Sequence, residues 1–149
     1  MKRLGILLVC FATLAFSSCD VIQQAAGSNT AAQAMGQTCG SALVGLYNSY
    51  RATGSLNLAT GNNLTNALAL VTCYTQIRQN KDNANYRKSF IAGMVLNGAG
   101  LITNKNASNI VNALLLANGL TGISQSNTTA QNNTAANNSI VPIFNSMKK

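Results

Sequence analysis

The eight residues "NLTNALAL", Asn63 to Leu70, return 46 positions later as "NIVNALLL", Asn109 to Leu116. Upstream, "SALVGL" at Ser41 to Leu46 is loosely echoed 48 positions on by "SFIAGM" at Ser89 to Met94. Each copy then reads as a helix with a central glycine, a polar link, and a second helix opening on N-x-x-N-A-L. One such hairpin cannot bury its apolar face alone, whereas two stacked together can. The echo therefore predicts an all-α chain: a small bundle of about four helices, built from two similar hairpins over 31–80 and 82–120. Chance matching among abundant Ala, Leu and Asn is the competing reading, so the periodicity within each segment has to be consulted.

That periodicity is helical throughout. Ala31, Met35, Cys39, Ala42, Leu43, Leu46 and Tyr50 recur at three and four, and Gly54 closes the segment. A second pattern runs through Leu64, Ala67, Leu68, Val71, Tyr74 or Thr75, and Arg78. Asp82 is a candidate N-cap for a third helix carrying Tyr86, Phe90, Met94 and Asn97. Its stretch from Phe90 to Leu96 is apolar on every side, which predicts the most buried helix. The fourth is bracketed by Ser108 as cap and Gly119 as stop. Glycines at 36, 40, 45, 93 and 98 lie inside helices, where each costs about 1 kcal/mol relative to Ala, so close backbone packing or a small groove is expected there.

The polar inventory limits chemistry more sharply than it limits the fold. Ten Lys and Arg face two acids, Asp20 and Asp82, and Glu, His and Trp are all missing. General acid/base catalysis draws on His or on paired carboxylates, and zinc or calcium sites need His, clustered Cys or several carboxylates. None of these sets can be assembled, so the chain reads as a non-enzyme with no metal site and no cofactor. A Ser-Lys hydrolase is the remote alternative; its only Ser-x-x-Lys string is Ser146 to Lys149 at the chain's end.

The N-terminus carries a different kind of information. Lys2 and Arg3 precede an apolar run from Gly5 to Phe16, within the about 7–15 residues of a secretory leader and short of the about 20 needed to span a bilayer. It ends on "FSSC", small residues before Cys19. This resembles the lipobox of bacterial lipoproteins over residues 1–19 only, departing at Phe16 where Leu is usual. The resemblance implies a signal peptide over 1–18, diacylglycerol on the Cys19 thiol, an acyl chain on its new amine, and a lipidated tether over 19–30. A 131-residue mature chain would remain of the 149. One acyl chain binds a membrane marginally and several hold it, at about 0.8 kcal/mol per buried CH₂. The alternatives are an ordinary signal peptide cut nearby, with Cys19 left as a thiol, and a buried N-terminal helix of a cytosolic protein. Asp20 leaves inner and outer membrane undecided.

Cysteine bookkeeping follows from this. Cys10 leaves with the leader and Cys19 is lipidated, so Cys39 and Cys73 form the even pair in a compartment that permits disulfides. In an antiparallel hairpin the two sit at similar depth from the connection, at about 1.5 Å per residue. A bridge is feasible, and two separate buried thiols are the alternative.

Residues 121–149 begin with "TGISQSNTTAQNNTAANN", nearly devoid of large apolar groups, which predicts a flexible polar tail. Ile140, Val141, Pro142, Ile143 and Phe144 interrupt it. Two readings stand: an extended or strand-like segment docked back on the bundle, or a peptide presented to a partner. The net charge of +8 falls to +6 once Lys2 and Arg3 are removed. Arg78, Lys81, Arg87 and Lys88 flank the link between the hairpins beside Tyr74 and Tyr86. They serve either as a contact for lipid headgroups, glycans or anionic envelope polymers, or as the solvated face of a turn. Nucleic acid is not an expected partner. The sequence thus predicts a lipid-anchored cell-envelope protein that works by binding or structural contact with the membrane and an envelope protein, glycan or polymer. The alternative is a module for a small apolar or anionic ligand held between the hairpins.

Overall fold

A computed structural model of the chain describes residues 30–147. The expected leader over 1–18, the segment 19–29 with Cys19, and Lys148 and Lys149 lie outside the described residues. The described chain is all-α, a small helical bundle without strands: α1 (Thr30–Thr53), α2 (Asn63–Gln79), α3 (Ala84–Leu96), α4 (Ala107–Leu116), a 3₁₀ turn (Asn118–Gly122), α5 (Thr129–Ser139) and the one-turn α6 (Val141–Phe144).

α1 is the axis on which the rest assembles. Ala32, Gly36, Cys39, Leu43, Leu46 and Tyr47 follow the helical period and are all buried. Gly54 ends the helix at φ +80°, a conformation that favours glycine, with its N–H donating to the Tyr50 carbonyl at 2.7 Å. The chain then turns back. Cys39 on α1 and Cys73 on α2 are joined by a disulfide with Cα atoms 6.0 Å apart. Nearer the turn, Asn63 Nδ2 donates to Ser49 Oγ at 2.8 Å. These two ties hold α2 antiparallel to α1.

α3 lies against α1 more extensively than any other pair of elements. The glycines explain why. A Cβ on Gly36 would stand 2.0 Å from the Phe90 carbonyl oxygen, one on Gly40 2.7 Å from that of Met94, and one on Gly93 2.0 Å from that of Gln33. Since Gly36 faces Phe90 and Gly40 faces Met94, four residues on along both helices, α3 runs parallel to α1. The second hairpin is accordingly no copy of the first: α3 spends its small-residue face on α1 and meets α4 only lightly. α3 is also not buried all round. Phe90, Gly93 and Met94 are inside, while Ala92 is exposed and Leu96 is 61% exposed.

Three helix boundaries shift, the two starts each to an asparagine. Asn83 rather than Asp82 caps α3, its Oδ1 accepting from the Tyr86 N–H at 3.0 Å. α4 begins at Ala107 ahead of Ser108; Asn106 before it ties the preceding loop, accepting from the Thr103 N–H at 2.7 Å and donating to the Leu101 carbonyl at 3.0 Å. The helix ends at Leu116, and Gly119 falls inside the 3₁₀ turn.

The predicted flexible tail is corrected outright: 121–147 is a packed part of the bundle. Thr128 and Gln131 form a capping box at the start of α5, each side chain pairing with the other's backbone N–H. Lacking large apolar residues, α5 attaches by side-chain amides. Asn137 accepts from the Leu56 N–H and donates to the Leu56 carbonyl, both at 2.9 Å, in the manner of a neighbouring strand. One turn earlier Asn133 accepts from the Leu58 N–H at 2.8 Å. The buried Asn132 pairs with both backbone groups of Ser124, at 3.0 and 2.8 Å. A buried polar group is tolerated when it is fully paired, and here the pairing replaces an apolar face.

Candidate functional site

Of the two readings of Ile140 to Phe144, docking is what the structure has, as helix rather than extended chain. Ile140, Ile143 and Phe144 are buried, Val141 is half-buried and Pro142, in the first turn of α6, is exposed. The Phe144 ring packs 5.4 Å from Tyr47 and 5.3 Å from Tyr50, centroid to centroid. A segment used in this way is core, and it leaves no apolar peptide free at that place.

The basic residues survive as a surface. Arg78 lies in the last turn of α2, where a cation complements the helix carbonyls. Its guanidinium carbon sits 5.7 Å from the centre of the Tyr74 ring and Nη1 donates to the Tyr74 hydroxyl. Tyr74 itself is buried, so the pair fixes the arginine at the rim. Lys81 and Lys88 are exposed on either side of the turn. Arg87, half-buried in the first turn of α3, extends across to α4, where Nη2 donates to Asn112 Oδ1 at 3.5 Å. That contact ties α4 to the first turn of α3, and Leu116 at the end of α4 is 82% exposed.

A groove of about 500 Å³ opens along the first hairpin, lined by Gln37, Thr38 and Ser41 of α1, Thr65 and Asn66 of α2, and Asn97 after α3. Asn97 Nδ2 donates to the Gln37 carbonyl and to Ser41 Oγ, both at 3.2 Å. The lining offers amides, hydroxyls and alanine methyls. An anion would find no cation in it, and an apolar ligand no large apolar wall.

Ser146 is half-buried behind α6, and Lys149 lies outside the described residues. Among the described residues no group of three or more His, Cys, Asp or Glu is placed to hold a metal ion, and no helix is long and apolar enough to cross a membrane. No protein-family model, no curated protein and no solved structure matches this chain.

Proposed function

We propose that the chain is a lipid-anchored cell-envelope protein that acts by binding or structural contact and performs no catalysis. One observation carries the reading: a basic pair, an apolar run and "FSSC" follow each other in the order of a lipoprotein leader within residues 1–19. The Cys39–Cys73 disulfide supports it, since such bonds persist in oxidising compartments outside the cytosol. That bridge also accounts for two of the four cysteines, leaving Cys10 in the leader and Cys19 at the cleavage point. The partners are then the membrane, through diacylglycerol and an acyl chain on Cys19, and an envelope protein, glycan or anionic polymer. The absence of His and Glu from the sequence supports a non-catalytic role. Metabolic labelling with an alkyne fatty acid tests the proposal. Label should enter the wild-type chain and not Cys19→Ala, which should also leave the membrane fraction; equal labelling of both refutes it.

A further inference from the structure

The two ties between α1 and α2 fix a register that has a consequence at the start of α1. Cys39 pairs with Cys73 and Ser49 with Asn63, so Thr30 comes level with Asp82. The parallel register of α1 and α3 gives the same answer independently: Gly36 opposite Phe90 and Gly40 opposite Met94 set Thr30 level with Ala84. The end of the bundle at which the N-terminal segment joins α1 is therefore the end formed by the α2–α3 turn. Four of the six basic residues in the described chain, Arg78, Lys81, Arg87 and Lys88, belong to that end, with Asp82 the one acid among them. The other two are elsewhere: Arg51 closes α1 at the far end, and Lys105 lies in the link after α3. Arg87 extends this basic rim across to α4 through its contact with Asn112.

We infer that this end of the bundle is a membrane-facing surface that docks on anionic lipid headgroups. The choice of a bilayer over a soluble polyanion rests on the lipid-anchor reading and on chain length. Eleven Cα–Cα steps separate Cys19 from Thr30, a reach of at most about 40 Å at about 3.6 Å per residue. A lipidated Cys19 therefore holds this end within that reach of the headgroups, while the opposite end stands a further α1 length, about 36 Å, along the bundle. Four clustered cations beside the tether suit such an interface, where the anchor and attraction to anionic lipid act together. The surface displayed outward is then the far end, with the 54–62 turn held by Asn133 and Asn137.

The test uses the whole mature chain, residues 19–149, with Cys19→Ala so that no lipid contributes, and sedimentation with vesicles of about one-third phosphatidylglycerol in phosphatidylcholine. Each Lys or Arg at an anionic surface is worth about fivefold in partitioning. Replacing Arg78, Lys81, Arg87 and Lys88 together by Gln should lower it about 30- to 600-fold, and Arg51→Gln with Lys105→Gln less than threefold. The charge effect should fade at 0.5 M salt, where the Debye length is only about 4 Å. Circular dichroism checks that each variant is folded. A loss below tenfold in the fourfold variant, or equal binding to pure phosphatidylcholine, overturns the inference. Soluble polyphosphate competing as well as vesicles overturns the choice of a membrane. Because no lipid is present on the protein, failure here is distinct from failure of Cys19 to be acylated.

Discussion

Replacing Gly36 by Ala adds a single methyl group where the backbone of α3 already stands. The new Cβ would lie 2.0 Å from the Phe90 carbonyl oxygen, while ordinary contacts begin at 3.4 Å, so α1 and α3 must part locally by about 1.4 Å. A gap of about 0.5–1 Å already forfeits a quarter to a half of each atom pair's dispersion energy, and the displaced atoms are backbone, which cannot swing aside. Overpacking of this kind costs about 1–3 kcal/mol or somewhat more. Against it stands the helix preference of Ala over Gly, about 1 kcal/mol. The expected net loss is about 2 kcal/mol. Gly45→Ala on the same helix supplies the control. Its Cβ would meet only the Asn66 amide nitrogen, at 2.6 Å, the mobile end of a side chain. That variant should be neutral or stabilised by up to about 1 kcal/mol. Urea unfolding with the disulfide intact, followed by far-ultraviolet circular dichroism, gives both values. If the two variants agree within about 0.5 kcal/mol, the close approach of α1 and α3 is not what holds the bundle together. Combining Gly36→Ala with Gly93→Ala should cost less than the sum, since the first substitution has already parted the helices.

The Cys39–Cys73 bridge closes a loop of 35 residues, which stabilises by about 4 kcal/mol in the chain-entropy description; the double Ala variant should lose about that much, and no thiol from this pair should titrate in denatured, unreduced protein. Asn137→Ala strands both backbone groups of Leu56, itself 2% exposed, so a loss of about 2 kcal/mol is expected in urea unfolding, against less than about 0.5 kcal/mol for the exposed neighbour Asn138→Ala. Phe144→Ala empties a site between Tyr47 and Tyr50 and should cost about 3–5 kcal/mol; unchanged stability would return Ile140 to Phe144 to the role of a peptide held out for a partner.

Parts of this architecture are plain in the sequence. Cys39, Ala42, Leu43 and Leu46 on α1, and Ala67 and Tyr74 on α2, stand out at helical spacing and become buried, whereas Leu64, Leu68 and Val71 are half-buried and the α2 core face is completed by Leu70 and Ile77. Hairpin geometry then suffices to bring Cys39 beside Cys73. The choice of α1 as the partner of α3 is less legible. It depends on which glycines face each other across 50 or more positions, and the apolar period alone is silent about that. The repeat misleads here, since equivalent segments meet unequal neighbours. α5 is the deepest misreading, and its cause is chemical: hydropathy treats asparagine as solvent-facing, whereas Asn132, Asn133 and Asn137 are bonded to backbone inside the molecule. Two local signals were present. Thr128 and Gln131 have capping-box spacing, and Ile140, Ile143, Phe144 and Met147 follow i, i+3, i+4, i+7. The basic residues at the α2–α3 turn could be picked out as a cluster, but their alignment with the start of α1 exists only in three dimensions.

Intact-mass analysis of the protein taken from native membranes, followed by sequencing of its N-terminal peptide, bears most directly on the central claim. A chain beginning at Cys19 and carrying the mass of diacylglycerol plus an acyl chain is the expected result. A mature chain that begins elsewhere, or one that begins at Cys19 with an unmodified thiol and amine, contradicts the account.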